Sequence, residues 1–193
     1  METLSYINYL IALFFTVCYS YQFLYILVAL IAKPKVYSES PPKRYAVMIS
    51  ARNEEAVIGE LIKSIKGQRY PSELVDIYVV ADNCTDNTAK VAQQAGATAV
   101  WERFNKERVG KGYALNFLFD HVRQTAGDVY DGYFIFDADN LLDEKFIGEM
   151  NKTFAAGYSV VTSYRNSKNY GTNWISAGYS LWFLREARFL NYS

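Results

Sequence analysis

The chain has 193 residues, 51% of them apolar, with 17 tyrosines and 12 phenylalanines, material enough for one domain with an appendage. Its 20 basic and 20 acidic side chains cancel, so no bulk charge attracts nucleic acid. Two cysteines and one histidine exclude a disulfide framework and a Cys/His metal cluster.

From Thr3 to Ala32 there is no charged residue and no histidine. A helix over Tyr6–Ala32 would be roughly 40 Å long, enough to cross a hydrocarbon core of about 30 Å. Lys33 and Lys35 follow, then Lys43 and Arg44, whereas only Glu2 charges the other end. The positive-inside rule puts the N-terminus outside and the rest in the cytoplasm, a single pass through the cell membrane. A cleaved signal peptide fits poorly, because no basic n-region and no A-x-A site accompany the long apolar run. A soluble core helix would need partners around its whole circumference. Residues 1–33 are therefore read as a transmembrane helix and 34–44, with Pro34, Pro41 and Pro42, as a linker.

Over residues 45–193 strands and helices alternate. Strands are expected at Tyr45–Ser50, Val75–Ala81, Thr98–Trp101, 133–136 and Ser159–Ser163. Helices are expected over Ala56–Lys66, around Ala89–Ala95 up to Gly96, over Gly112–Gln124 (which carries His121), Asp143–Ala156 and Ile175–Tyr192. Such alternation implies βαβ units, a mostly parallel sheet and flanking helices.

Chemistry-bearing residues sit in the loops after the strands, where open α/β sheets bind ligands. The first strand leads into Ala51-Arg52-Asn53-Glu54-Glu55 and the second into Asp82-Asn83-Cys84-Thr85-Asp86-Asn87-Thr88. Gly110-Lys111-Gly112 follows the third strand, and the fourth delivers Asp137-Ala138-Asp139-Asn140. Two carboxylates two positions apart repel unless a cation sits between them. A hard divalent ion, Mn²⁺ or Mg²⁺, sharing its ligands with a diphosphate answers that need. Glycines admit a phosphate to the backbone, Lys111 adds a point charge, and Asp82 can accept from the N–H of a base. The competing reading is a set of solvated turns, with Asp86 or Thr85 capping the next helix.

Spacing excludes several alternatives. No Gly-x-Gly-x-x-Gly follows the first strand, so a dinucleotide-binding domain is not expected. Gly110-Lys111 lacks the flanking residues of a Walker A loop. An EF-hand beginning at Asp137 fails at Leu141 and Leu142. An aspartate-nucleophile phosphatase is a weaker rival, since its Asp-x-Asp belongs to a first strand.

Taken in order, Ala51–Glu55, Val79–Thr88, Gly110–Asn116 and Asp137-Ala138-Asp139 resemble the membrane-bound family 2 glycosyltransferases. The resemblance covers Tyr45–Ser163. It implies a GT-A fold that binds a nucleotide diphosphate sugar, usually a UDP-sugar, through Mn²⁺ or Mg²⁺. It implies nucleotide binding by Ala51, Asn53, Glu54, Asp82, Lys111 and Asp137, with Asp137 and Asp139 at the metal. Arg52 is common in relatives, and Gly171–Ser193, with Trp174, Trp182 and Phe183, resembles a region leading toward the acceptor site. The implied reaction is transfer with inversion to a saccharide or lipid-linked acceptor, assisted by a general base.

In relatives that base lies in a Glu-Asp motif followed by Gln-x-x-Arg-Trp, and neither stands in this chain. The catalytic base is thus unassigned. The expectation is the donor-binding half of a longer enzyme, incomplete at its C-terminus and inactive by itself. The alternative is a non-catalytic nucleotide-sugar-binding membrane protein. The aromatic residues Tyr164, Tyr170, Trp174, Tyr179 and Trp182 are read mainly as packing or membrane-interface groups. The sequons at Asn83, Asn151 and Asn191 are read as chance, since a cytoplasmic domain never meets the glycosylation machinery.

Overall fold

A computed structural model of the protein describes residues 2–31 and 35–186. Lys33 and Pro34, the end of the expected last helix and the sequon at Asn191 lie outside the described residues. The chain divides into two compact units, one from residues 37–159 and one from the described residues of 1–36 and 160–193.

The first unit is a four-stranded sheet of β1 (Tyr45–Ala51), β2 (Val75–Asp82), β3 (Ala99–Arg103) and β4 (Gly132–Asp137). Its strand order is β3-β2-β1-β4 and every neighbouring pair is parallel. Strand β1 is central, and its side chains alternate between two cores as a period of two requires. Tyr45, Val47, Ile49 and Ala51 meet helices α3 (Ile58–Lys66), α4 (Thr88–Gln94) and α6 (Phe146–Ala155) on one face. Ala46 and Met48 meet Ala114, Leu118 and Val122 of helix α5 (Lys111–Ala126) on the other. Each fully buried Ile, Leu or Val contributes about 1.5–3 kcal/mol, so β1 and α3 anchor the unit.

Handedness explains which face each helix takes. The chain steps from β1 to β2 to β3 in one direction, so right-handed crossovers put α3 and α4 on the same face. From β3 it returns past β2 and β1 to reach β4, which sends α5 to the opposite face. The order therefore reverses between β1 and β4, and a crevice opens beyond their C-terminal ends.

Two sequence expectations are corrected. No strand forms at Ser159–Ser163: a strand needs a neighbour for its backbone hydrogen bonds, and Val160 is 86% exposed, with no surface to cover it. Strand β3 runs to Arg103 rather than stopping at Trp101, because β2 continues to Asp82 and pairs it with Arg103.

The other unit holds helices α1 (Glu2–Tyr19), α2 (Tyr21–Ile31) and α7 (Trp174–Arg185). Leu4–Val28 has the length and apolarity of a membrane span, with a mean hydropathy of 1.8 and none of that window buried. Within that span α1 and α2 are separated by a single turn residue, Ser20, whose hydroxyl donates to Val17 O at 2.7 Å.

Candidate functional site

Strand register brings the site together. Ser50 stands opposite Asp137, Ala51 opposite Ala81, and Asp82 opposite Arg103, so all four strand ends meet at one rim.

Asp82 is buried there between two arginines. Its Oδ1 accepts from Arg103 Nη1 at 2.5 Å and from Asn83 Nδ2 at 3.0 Å. Its Oδ2 faces Arg52 Nη2 at 3.5 Å, longer than a full hydrogen bond, and retains lone pairs for another donor. Arg52 also donates from Nε to Asp82 O at 3.1 Å, and Arg103 from Nη2 to Arg108 O at 2.7 Å. Arg103 thus joins the second loop to the third. Sequence reasoning missed it by ending the strand too early; the signal was an arginine just past an apolar run.

The first two loops are knitted by side chain to backbone bonds. Asn53 and Asn83 both take the left-handed conformation, with φ of 55° and 52°, which asparagine tolerates better than other chiral residues. Asn53 Oδ1 accepts from Thr85 N at 2.8 Å, and Asn83 Oδ1 from Asn105 N at 2.9 Å. Glu54 N donates to the buried Thr88 hydroxyl at 2.8 Å. Glu55 N donates to Asp86 Oδ2 at 3.1 Å, and Glu55 Oε2 accepts from Asn87 N at 2.8 Å. Asp86 also accepts from Thr88 N at 3.0 Å; the N-cap position of α4 itself falls to Asn87, not to Asp86 or Thr85, and Asp86 meets the first helical N–H from one residue further out. Cys84 is a free thiol lodged against the same loop, its Sγ accepting from Asn53 N at 3.4 Å.

Across the switch point, Lys111 opens α5 and pairs with Asp137 at the end of β4. Gly110 before it has a φ of 131°, which reserves that position for glycine. Asp137 and Asp139 flank a turn closed by Asn140 N donating to Asp137 O at 3.0 Å, while Asn140 Nδ2 donates to Asp139 Oδ1 at 3.2 Å. Every sequence-selected residue, from Ala51, Asn53 and Glu54 through Asp82 and Lys111 to the two aspartates, thus lies at the C-terminal rim of the sheet.

A divalent ion suits this donor set in kind. Asp137 and Asp139 offer hard oxygens, and Mn²⁺ or Mg²⁺ takes one or two carboxylates with phosphate oxygens and water completing its shell. Among the described residues no group of three His, Cys, Asp or Glu side chains stands ready to cage a metal, so a diphosphate would share the ligation. Two shallow surface depressions lie away from this rim, one of about 330 Å³ beside Asp120 and Gly127, the other of about 230 Å³ beside the linker.

His121 on α5 is structural, with Nδ1 at 2.8 Å from Phe117 O and its ring between Phe117 and Trp101.

Comparison with known proteins bears on this arrangement. Residues 41–192 match the model of the glycosyltransferase like family 2. The beta-monoglucosyldiacylglycerol synthase of Synechocystis is 31% identical over 123 residues, 62% of this chain and 24% of that protein. The 4,4'-diaponeurosporenoate glycosyltransferase of Staphylococcus aureus is 48% identical over 58 residues, 30% of this chain and 15% of that protein. The chain thus spans at most about a quarter of the length of these relatives. A mannosyltransferase from Pyrobaculum calidifontis, solved with GDP-Man and Mn²⁺, superposes with a TM-score of 0.57 at 25% identity, covering 72% of this chain and 41% of the other.

Proposed function

Because the chain belongs to glycosyltransferase family 2 and has the GT-A type of sheet, we propose that it forms the donor-binding part of a sugar-transferring enzyme. The observation that carries this reading is the convergence of Asp82, Lys111, Asp137 and Asp139 on one rim across the switch point. Asp82, fixed by Arg103, presents Oδ2 to an N–H of the nucleobase. Ala51, Asn53 and Glu54 line the nucleoside. Lys111 offsets diphosphate charge, and the Gly110 backbone permits its close approach.

The donor is a UDP-sugar, and the relation to a mannosyltransferase holding GDP-Man supports a nucleotide diphosphate sugar in general. Mn²⁺ or Mg²⁺, when bound, is held by Asp139 with Asp137 and offsets charge on the departing diphosphate. An acceptor hydroxyl attacks the anomeric carbon with inversion, and its proton passes to a base. Relatives named for glucosyldiacylglycerol and diaponeurosporenoate support a lipid or lipid-linked saccharide as acceptor. Helices α1 and α2 anchor the chain in the cell membrane as a single pass. The linker of residues 34–44 leads from them to the nucleotide-binding domain beginning at Tyr45, on the cytoplasmic side.

One observation favours a second reading for these residues by themselves. No Glu-Asp motif follows Asp139 in these residues, and of the acids after Asp143, Glu144 pairs with Arg69 and Glu149 with Lys152. That supports donor binding without turnover by these residues alone.

The test is calorimetry of the full chain in detergent with UDP, with and without Mn²⁺, beside Asp139→Ala and with GDP as competitor. Metal-dependent UDP binding that the variant loses supports the donor site. No binding to a folded sample overturns it, and tighter binding of GDP moves the donor to a guanosine sugar. Transfer of radiolabelled sugar to lipid, assayed on the same sample, separates turnover from binding alone.

A further inference from the structure

Arg103 is a buried cation, 8% exposed, at the last position of β3. A buried ion pair is often no more stabilising than apolar residues of the same volume, so stability alone does not account for it. What a guanidinium supplies and an apolar side chain cannot is a planar fork that fixes two acceptors at once. Here the two acceptors belong to different loops. Nη1 meets Asp82 Oδ1 at 2.5 Å, and Nη2 meets Arg108 O at 2.7 Å. Asp82 is the proposed partner of the nucleobase. Arg108 stands three residues before Lys111, the proposed partner of the diphosphate.

The segment between Arg103 and Arg108 is closed on itself. Asn105 Oδ1 accepts from Glu107 N at 3.0 Å and from Arg108 N at 2.8 Å, which folds the chain back toward Arg103. Asn105 N donates to Asn83 Oδ1 at 2.9 Å, and Asn83 N donates to Arg103 O at 2.7 Å. These bonds tie the start of the segment to the Asp82–Asn83 turn, and the Arg103 fork carries the tie on to Arg108. Beyond Arg108 only Val109 and Gly110 precede Lys111. Gly110 O already accepts from Ala114 N at 3.2 Å, in the first turn of α5. The Arg103 side chain therefore links the carboxylate of one loop to the segment that positions the lysine of the other.

We infer that Arg103 is a positioning residue that sets the spacing between Asp82 and Lys111, so that the site selects a nucleoside diphosphate over the monophosphate. Asp82 meets the base of either ligand. Lys111 gains from the second phosphate only if it is held at the matching distance from Asp82, and a site ordered before the ligand arrives binds more tightly than one the ligand must order. The inference rests on the donor-site reading, and the experiment tells the failure of one from the failure of the other.

UMP and UDP are titrated by calorimetry against the full chain in detergent at constant Mn²⁺, with GMP and GDP in their place if guanosine nucleotides bind more tightly. Arg103→Lys keeps a charge beside Asp82 but on a head that cannot fork to two fixed acceptors. Asn105→Ala leaves the Arg103–Asp82 pair in place and releases Glu107 N and Arg108 N. Asn105 is partly exposed, so this variant decides the matter by itself if Arg103→Lys does not fold. The expected result is that each folded variant weakens diphosphate binding about fivefold more than monophosphate binding, the size of one hydrogen bond. A merely structural role would weaken both ligands by a common factor. A ratio unchanged in either folded variant overturns the inference and leaves the donor site standing. A wild type that binds monophosphate and diphosphate equally also overturns it. A folded wild type that binds none of these nucleotides removes the donor site and the inference with it.

Discussion

Replacing Asp82 by alanine leaves Arg103, itself buried, without the carboxylate that its Nη1 meets at 2.5 Å. Breaking a buried pair from one side costs about 3–5 kcal/mol, so the urea midpoint of Asp82→Ala should fall sharply. Arg52→Ala touches the exposed side of the same carboxylate and should cost no more than about 1 kcal/mol. Equal losses in the two variants would show that Arg103 is not the anchor. Asn53 tests the loop itself: with φ at 55°, alanine there adds about 1–2 kcal/mol of backbone strain. It also forfeits the bond to Thr85 N, worth about 1 kcal/mol. Asn53→Gly should lose the bond alone and unfold at the higher urea concentration of the two. Burial raises the Asp86 carboxyl, but hydrogen bonds from the Thr88 hydroxyl, Thr88 N–H and Glu55 N–H outweigh it and hold the group below its ordinary value. A lowered folded value means the contribution is full above the unfolded value of about 3.9 and fades as pH falls through the folded one. The melting-temperature gap between the wild type and Asp86→Asn should therefore be widest above about pH 4 and narrow below it.

At the scale of elements, the linker from Ser40 to Lys43 is tied to the sheet domain by side-chain hydrogen bonds. Asn151 on α6 donates from Nδ2 to Ser40 Oγ at 2.8 Å and Pro41 O at 3.1 Å. Its Oδ1 accepts from the hydroxyls of Tyr45 at 2.8 Å and Tyr70 at 3.2 Å. Burial pushes the Tyr45 hydroxyl well above the usual phenol range, so it remains a donor. Asn151→Ala leaves that donor buried without an acceptor, at a cost of about 1–3 kcal/mol. It should also speed tryptic cleavage at Lys43; an unchanged rate would mean that the linker is fixed from elsewhere. The sequence shows a linker only as prolines between two patterns, because its partner asparagine lies 110 residues from Pro41. The fourth helix was legible for the opposite reason: Asp86, Thr88 and the apolar spacing of α4 are all local. Ser159–Ser163 misled because a β-branched run, Val160-Val161-Thr162, signals a strand only where a neighbour is present to pair with it.

For the molecule as a whole, the family and its mostly parallel α/β sheet were readable from the chain. Apolar periods of two and of about 3.6 residues, separated by polar loops, are local consequences of backbone geometry and side-chain burial. Loop residues at the strand ends were readable for the same reason, since in an open parallel sheet those ends face one crevice whatever the strand order. Only the tertiary structure decided which of these residues touch. The order β3-β2-β1-β4 sets Arg103 beside Asp82, residues 21 apart in sequence, and Lys111 beside Asp137, residues 26 apart. Strand order depends on how helices pack on two faces of a twisted sheet, a balance summed over the whole core that no single stretch of sequence carries.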